Sequence, residues 1–260
     1  MTSVRLRDGA LDIIEAGAGK PIVLLHSLLA DRAIFDKIVP ILARQRRVIV
    51  PDLPGFGGSS SAGATIEGIA DRIAGLFDAL ELGTTADVLG NGFGGFVASA
   101  LAIRHGATFD RLILADTGVG FTPEGKQSFF AMAERVRQSG MEAIVDVALK
   151  RLFPEDFIAA NPAIMAERRA ALVKTNPEFF AEACHALAAL DLTAHIGTIR
   201  NPTLVVVGEL DAATPPEMAR ALAKALPGAA LIEMPGCGHA PMAQAPEAFI
   251  KVVSKFLDLA

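Results

Sequence analysis

Residues 86–95 read Ala-Asp-Val-Leu-Gly-Asn-Gly-Phe-Gly-Gly, and this stretch decides the fold. The segment Asp87–Leu89 has the composition of a short strand, and Phe93–Arg104 is apolar enough to form a buried helix. The glycines between them predict a very tight reversal from strand to helix, because glycine adopts backbone angles that other residues rarely reach.

Two functional patterns use a turn of this kind. One is the nucleophile elbow, G-x-S-x-G, in which a strained backbone holds a serine above the end of the strand. The other is the dinucleotide fingerprint, G-x-G-x-x-G, in which bare backbone lets a pyrophosphate approach a helix N-terminus. Gly90, Gly92 and Gly95 match the fingerprint, whereas residues 90–94 match the elbow except that Gly92 stands where the serine would be.

The chain around this turn predicts an α/β fold with a mostly parallel sheet that is covered on both faces. Apolar runs of strand length at Pro21–Leu25, Val48–Val50, Arg111–Ala115 and Thr203–Val207 alternate with helical patterns. Strands and helices that alternate at this spacing form parallel sheets, because each helix carries the chain back across the sheet.

The pattern changes between Phe121 and about Ala194, where strand-like clusters are missing and four helices are predicted. A helical block inserted between strands of such a sheet covers the edge at which their carboxyl ends lie. We therefore predict a core made of residues 1–120 and 195–260, with a helical cap made of residues 121–194.

Composition and charge favour a globular protein with a small-molecule substrate. The chain is 52% hydrophobic and 20% charged, and its formal net charge of −5 gives no reason to expect nucleic acid or a membrane as a partner. The longest apolar run, near residues 21–30, is too short to span a bilayer. Cys184 and Cys237 do not make a disulfide framework and lack companions at zinc spacing, so we predict a cytoplasmic protein with no metal and no other cofactor.

Five segments occur in the order used by α/β-hydrolases, and the whole chain resembles that family with a helical cap. These segments are His26-Ser27, Asp52–Ser59, the turn at residues 90–94, Gly208–Asp211 and Gly238-His239. The less favoured alternative, a dinucleotide-binding oxidoreductase, would leave His26, Asp211 and His239 unexplained. Within the family the chain is most similar to the 3-oxoadipate enol-lactonase group, in its H-S-L opening and in residues 139–141 and 211–216.

The resemblance implies catalytic positions at His239, Asp211 and Gly92. His239 would be the general base, and a carboxylate at its other ring nitrogen would fix the tautomer and stabilise the imidazolium. Asp211 is the preferred acid, and Asp116 competes with it because it also ends a strand at this edge. His26 is expected to bind loop backbone rather than to act as a second base.

The resemblance also implies an oxyanion hole formed by the backbone amides of Leu28 and Phe93. The second of these amides opens a helix, where the dipole favours negative charge. Residues expected to contact the substrate lie in the oxyanion loop, in the elbow and in the cap: Ser27, Asn91, Phe129 and Phe153.

Because Gly92 stands where the serine would be, this site lacks its usual nucleophile. Loss of that serine lowers the turnover of a serine hydrolase by about 10⁶-fold. Ser27 and Cys237 belong at the correct edge and are alternative nucleophiles, although neither sits on an elbow aimed at the imidazole, and Ser99 is expected to be packed inside its helix. Three interpretations stay open: an inactivated or engineered hydrolase, an enzyme in which His239 activates water or acts as the base in a lyase or isomerase step, and a ligand-binding protein without chemistry.

The substrate class expected from the resemblance is a small ester, lactone or related carbonyl compound. A cationic side chain that reaches inward from the cap would suit a carboxylated ester or enol-lactone, because guanidinium pairs with carboxylate. The candidates are Arg135, Arg137, Arg168, Arg169 and Lys174.

Overall fold

An eight-stranded sheet forms the centre of the molecule, whose structure is a computed structural model that describes residues 2–259. The strands are β1 (Thr2–Leu6), β2 (Gly9–Ala16), β3 (Pro21–Leu25), β4 (Arg47–Pro51), β5 (Asp87–Asn91), β6 (Leu112–Ala115), β7 (Thr203–Gly208) and β8 (Ala230–Met234). Their spatial order is β1-β2-β4-β3-β5-β6-β7-β8. The pairs β1–β2 and β2–β4 are antiparallel and all others are parallel, which confirms the predicted mostly parallel sheet.

The order of the strands reverses between β3 and β5. From β3 the chain moves outward to β4 and then returns to place β5 on the other side of β3. In open α/β sheets, ligands bind beyond the carboxyl ends of the strands at such a reversal. The turn that follows β5 therefore lies where a site is expected.

Within residues 2–259, α-helices flank the sheet and also make up the segment between β6 and β7. They are α1 (Val39–Leu42), α2 (Ile66–Ala79), α3 (Phe93–His105), α4 (Pro123–Ser139), α5 (Val145–Leu152), α6 (Glu155–Ala160), α7 (Pro162–Val173), α8 (Pro177–Ala189), α9 (Pro216–Ala225), α10 (Pro241–Gln244) and α11 (Pro246–Leu257). The side chain of Thr65 caps α2 by accepting a hydrogen bond from the amide of Gly68. Among residues 2–259, no helix combines the length and the apolar character needed to cross a membrane.

The segment between β6 and β7 contains five α-helices, α4–α8, where the sequence predicts four. The additional break lies at Phe153, which is extended because the following Pro154 disfavours the helical conformation in the residue before it. The chain enters and leaves this segment side by side, through a bridge between Gly120 and Asp191. The division into core and cap at residues 121 and 194 stays a prediction.

Candidate active site

The turn after β5 is packed directly against the backbone that follows β3. The amide of Gly94 donates to the carbonyl of His26 at 2.9 Å, and a β-carbon on Gly94 would overlap the carbonyl of Leu25. A β-carbon on Gly90 would likewise overlap the carbonyl of Gly94. These glycines therefore allow protein backbone, rather than a pyrophosphate, to approach the turn, which removes the reason for the dinucleotide interpretation.

Gly92 has φ 53° and ψ −114°, a conformation that favours glycine. A β-carbon built on it would lie 2.5 Å from Nε2 of His239 and 2.6 Å from Oγ of Ser27. The space above the turn is thus already filled by these two side chains. Ser27 Oγ lies 3.0 Å from His239 Nε2, so Ser27 contacts the imidazole although it lies outside the elbow, and Cys237 does not line this cavity. The reason is that a residue without a side chain at position 92 lets the loop after β3 meet the histidine.

His239 and Asp211 lie side by side, each after its own strand. His239 Nδ1 is 2.9 Å from Asp211 Oδ2, and both side chains are buried. Because a carboxylate only accepts, Nδ1 carries the hydrogen and Nε2 of the neutral ring is left as the acceptor. The hydroxyl of Ser27 therefore donates to Nε2.

The Asp211 carboxylate is held in place by the turn that it begins. Its Oδ1 accepts from the amides of Ala213 (2.8 Å) and Thr214 (3.0 Å), and Thr214 Oγ1 lies 2.8 Å from Oδ2. Burial acts to raise the pKa of Asp211, but the charge that His239 carries when it is protonated, its hydrogen bond and the bonds from Thr214 outweigh burial and hold the pKa below its ordinary value. The group is thus an anion suited to stabilise an imidazolium.

Among the hydrogen bonds of residues 2–259, none joins Asp116, the competing acid, to the imidazole, and its carboxyl group is bonded to other neighbours. Its Oδ1 accepts from the amide of Gly208 at 2.8 Å and its Oδ2 from Nδ2 of Asn91 at 3.1 Å. Burial and then the negative charge of Asp211 raise the pKa of Asp116 well above its ordinary value. Ligand atoms of Asp116, Asp211 and His239 lie within 4.8 Å of one another, but these bonds already occupy them.

His26 fixes the loop that carries Ser27. The amide of Leu53 donates to its Nε2 at 2.9 Å, so its Nδ1 carries the hydrogen and donates to the carbonyl of Ser27 at 2.9 Å. Burial lowers the pKa of His26, which keeps the ring neutral in both bonds.

The amides of Leu28 and Phe93 are available as an oxyanion hole. Both residues line the cavity beside Gly92, and among the hydrogen bonds of residues 2–259 neither amide has an acceptor. Phe93 is the first residue of α3, where amides lack intrahelical partners.

Two adjoining cavities lie between the site and the helices α4 and α5. The inner one, about 40 Å³, is lined by Ser27, Gly92, Thr214 and His239 together with apolar side chains that include Phe129. The outer one, about 240 Å³, is lined mainly by α4 and α5. Leu29, Met132 and Arg151 line both. The inner space therefore accommodates only the reacting group of a ligand, whose remainder would lie in the outer space.

Arg151 is the cation that faces both cavities, and the sequence did not single it out. Within residues 2–259 it is half-buried and has neither a hydrogen bond nor an ion pair, unlike most of the predicted candidates. Three of the predicted candidates pair with carboxylates of the protein: Arg137, Arg168 and Arg169. Lys174 lines a different cavity, and Arg135 is exposed at the outer cavity. The position of Arg151 in the last turn of α5, one residue before its buried end, is the signal that could have identified it.

Not every predicted site residue reaches the cavity. Asn91 is fully buried and donates to Asp116 and to the carbonyl of His239, so it supports the site from behind. Phe153 stacks on Phe157 inside the cap and does not line the inner cavity. Cys237 is buried away from the cavity, and Ser99 donates to the carbonyl of Gly95 within its helix.

Comparison with known proteins agrees with this architecture. A model described as the alpha/beta hydrolase family matches residues 22–252. An enol-lactonase from Burkholderia xenovorans LB400 superposes with a TM-score of 0.93 at 31% identity, covering 99% of this chain and 100% of the other. A thermophilic esterase from Thermogutta terrifontis, solved with malate bound, gives a TM-score of 0.92 at 32% identity, covering 99% and 97%. The chain also matches the polyketide synthase ThaQ of Burkholderia thailandensis at 29% identity over 95% of its own length, but it spans only 12% of that protein.

Proposed function

Because the chain belongs to the alpha/beta hydrolase family, we propose that it hydrolyses a small ester or lactone that carries a carboxylate, with His239 as the general base and Asp211 as the group that orients it. The observation that carries this proposal is the buried pair itself, with Nδ1 2.9 Å from the carboxylate and Nε2 directed at the inner cavity. A base placed in this way removes a proton from an attacking hydroxyl and returns it to the leaving alcohol.

The two free amides support acyl transfer rather than another use of the base. When a carbonyl carbon is attacked, negative charge develops on its oxygen, and donors fixed in advance stabilise that charge strongly. Leu28 and Phe93 offer two such donors beside Nε2. A site that only bound ligands would gain little from donors placed next to a buried base.

We propose a carboxylate on the substrate because Arg151 faces both cavities. A half-buried guanidinium without a protein carboxylate attracts an anion, and such charge-assisted hydrogen bonds contribute about 1.5–3 kcal/mol. The malate bound to the similar esterase supports a carboxylate, and the similar enol-lactonase supports a lactone.

The test compares nitrophenyl hydrogen succinate with nitrophenyl butyrate, which has a similar acyl chain without the charge. We expect turnover of both by the parent protein, loss of turnover in His239→Ala, and a lower KM for the charged ester. Absence of turnover with both esters would contradict the proposed substrate class, and equal turnover in His239→Ala would contradict the role of His239 as the base.

Matched arginine variants test the charge. Arg151→Met should raise KM for the succinate ester by about 10- to 100-fold, the equivalent of one charge-assisted bond, and leave KM for the butyrate ester unchanged. Arg137→Met removes an exposed arginine paired with Glu178 and should change neither value. An equal rise with both esters in Arg151→Met would mean that the residue packs against the substrate rather than pairing with a carboxylate.

A further inference from the structure

We propose that Ser27 takes the place of the missing elbow serine as the nucleophile, an inference that rests on the proposed hydrolysis. Its Oγ lies 3.0 Å from Nε2 of His239, whose Nδ1 lies 2.9 Å from Asp211. A nucleophile, a base and an acid that orients the base are thus in contact in that order, which is the arrangement that activates a serine hydroxyl.

The hydroxyl of Ser27 lies next to the position that the β-carbon of a serine at position 92 would take. A β-carbon on Gly92 would be 2.6 Å from Ser27 Oγ, so side chains at positions 27 and 92 compete for one space. Ser27 lines the inner cavity together with Gly92 and His239. A substrate carbonyl in that cavity therefore meets the hydroxyl of Ser27.

Hydrogen bonds to its carbonyl and the buried strand before it fix the backbone of Ser27. Its carbonyl accepts from Nδ1 of His26 at 2.9 Å and from the amide of Ala30 at 3.3 Å, and the preceding strand β3 is buried between β4 and β5. A catalytic hydroxyl needs fixed support of this kind, because small displacements cost large factors in rate.

The oxyanion hole is compatible with a nucleophile at position 27 as well as at position 92. In the elbow arrangement one donor is the amide of the residue after the nucleophile, and the second comes from the loop after the strand next to the elbow. With Ser27 as the nucleophile, Leu28 becomes the following residue and Phe93 supplies the second donor. The same two free amides serve, with their roles exchanged.

Direct attack by water has less support from the geometry. A neutral imidazole has a single acceptor nitrogen, and the hydroxyl of Ser27 occupies it. An atom placed on the β-carbon position of Gly92 would be only 2.5 Å from Nε2, which is too close for a water molecule. Water reaches this nitrogen only if Ser27 moves away from it.

The reaction balances without any further reagent. Oγ of Ser27 bonds to the carbonyl carbon and its proton moves to Nε2, and then the bond from that carbon to the alcohol oxygen breaks and the alcohol takes the proton. Water next bonds to the acyl carbon and gives a proton to Nε2, and the ester bond to Ser27 breaks as Oγ recovers the proton. The products are an acid and an alcohol, joined in one molecule when the substrate is a lactone.

The first experiment compares Ser27→Ala with Ser99→Ala, which removes a buried hydroxyl outside the cavity. We expect kcat for nitrophenyl hydrogen succinate to fall at least about 10³-fold in Ser27→Ala and to stay unchanged in Ser99→Ala. The double variant Ser27→Ala/His239→Ala should be no slower than either single one, because nucleophile and base act as a unit. Turnover by Ser27→Ala at the rate of Ser99→Ala would overturn the inference and leave the proposed hydrolysis standing, with water as the nucleophile.

The second experiment labels the parent protein with a fluorophosphonate and locates the adduct by peptide mass spectrometry, which requires neither turnover nor a correctly folded Ser27 variant. We expect an adduct on Ser27 in the parent and none on it in His239→Ala. A parent that is inactive on both esters but labelled at Ser27 would contradict the substrate class alone. A parent that is active but unlabelled, or labelled elsewhere, would overturn the inference alone.

Discussion

Moving the hydroxyl from position 27 to position 92 is the perturbation for which the geometry makes the sharpest prediction. A side chain at position 92 must adopt φ near 53°, which costs a residue other than glycine about 1–3 kcal/mol. Its β-carbon would also approach Ser27 Oγ to 2.6 Å and His239 Nε2 to 2.5 Å. Gly92→Ser alone must therefore displace two side chains that are bonded to each other.

The combination Gly92→Ser/Ser27→Ala removes one of these overlaps, because alanine has no Oγ. Only the imidazole then has to shift, and a serine at the elbow lies next to the same base and the same two amides. We expect Ser27→Ala to lose at least about 10³-fold in kcat and the double variant to recover at least about 100-fold of that loss. The free energy of unfolding should fall by about 1–3 kcal/mol in the double variant, as the backbone conformation requires.

The assay is the initial rate with nitrophenyl hydrogen succinate, measured beside urea unfolding of each protein. Gly92→Ala/Ser27→Ala is the matched control, since it carries the same backbone strain without a hydroxyl. If the variant with serine at position 92 is folded but no faster than this control, position 92 is not a nucleophile position and the elbow interpretation is refuted.

Further predictions concern the acids and the glycines. Asp211→Asn should lower kcat about 10⁴-fold, because an amide holds the base in the wrong tautomer, and a loss below tenfold in initial-rate assays would assign the orienting role elsewhere. Burial and the charge of Asp211 raise the pKa of native Asp116, so it keeps its proton at pH values where the unfolded chain, with a pKa near 3.9, has released it. As pH rises above about 4, the free energy of unfolding of the parent should therefore fall relative to that of Asp116→Asn, by up to about 1.4 kcal/mol per unit. Urea unfolding profiles of the two proteins that run parallel with pH would contradict the assignment. Gly94→Ala should prevent or strongly weaken folding, because its β-carbon overlaps the carbonyl of Leu25, whereas Gly75→Ala, inside α2 with only an ordinary 3.8 Å contact, should raise the free energy of unfolding by about 0.5–1 kcal/mol in the same measurement.

The fold could be predicted because its signals are local. Apolar runs such as Pro21–Leu25 and Thr203–Val207 are strands in the structure, and the glycine turn lies between β5 and α3 as expected. The order of the motifs also indicated which strand ends carry His239 and Asp211, since carboxyl ends of parallel strands share one edge.

The position of Ser27 could not be predicted because it depends on a residue that is distant in sequence. Ser27 and His239 are 212 positions apart, and they meet because Gly92 leaves the space between them free. Ser27 and Cys237 both belong at the correct edge by sequence, and only the packing around Gly92 shows that Ser27 is the one in contact with the imidazole.

The cap was harder to predict than the core. Arg151 and the five predicted cations all lie on helices or at their ends, and only packing between helices decides which of them faces the cavity. Phe153 is an apolar residue before a proline, and sequence alone does not tell whether it packs on Phe157 or on a ligand.

The most direct measurement is the mass of the protein and of its peptides after it is mixed with nitrophenyl hydrogen succinate and quenched in acid during turnover. We predict a succinyl ester on the hydroxyl of Ser27, formed in the parent and absent from His239→Ala. Continued turnover without any acylated protein, or an acyl group on a residue other than Ser27, would contradict the mechanism proposed here.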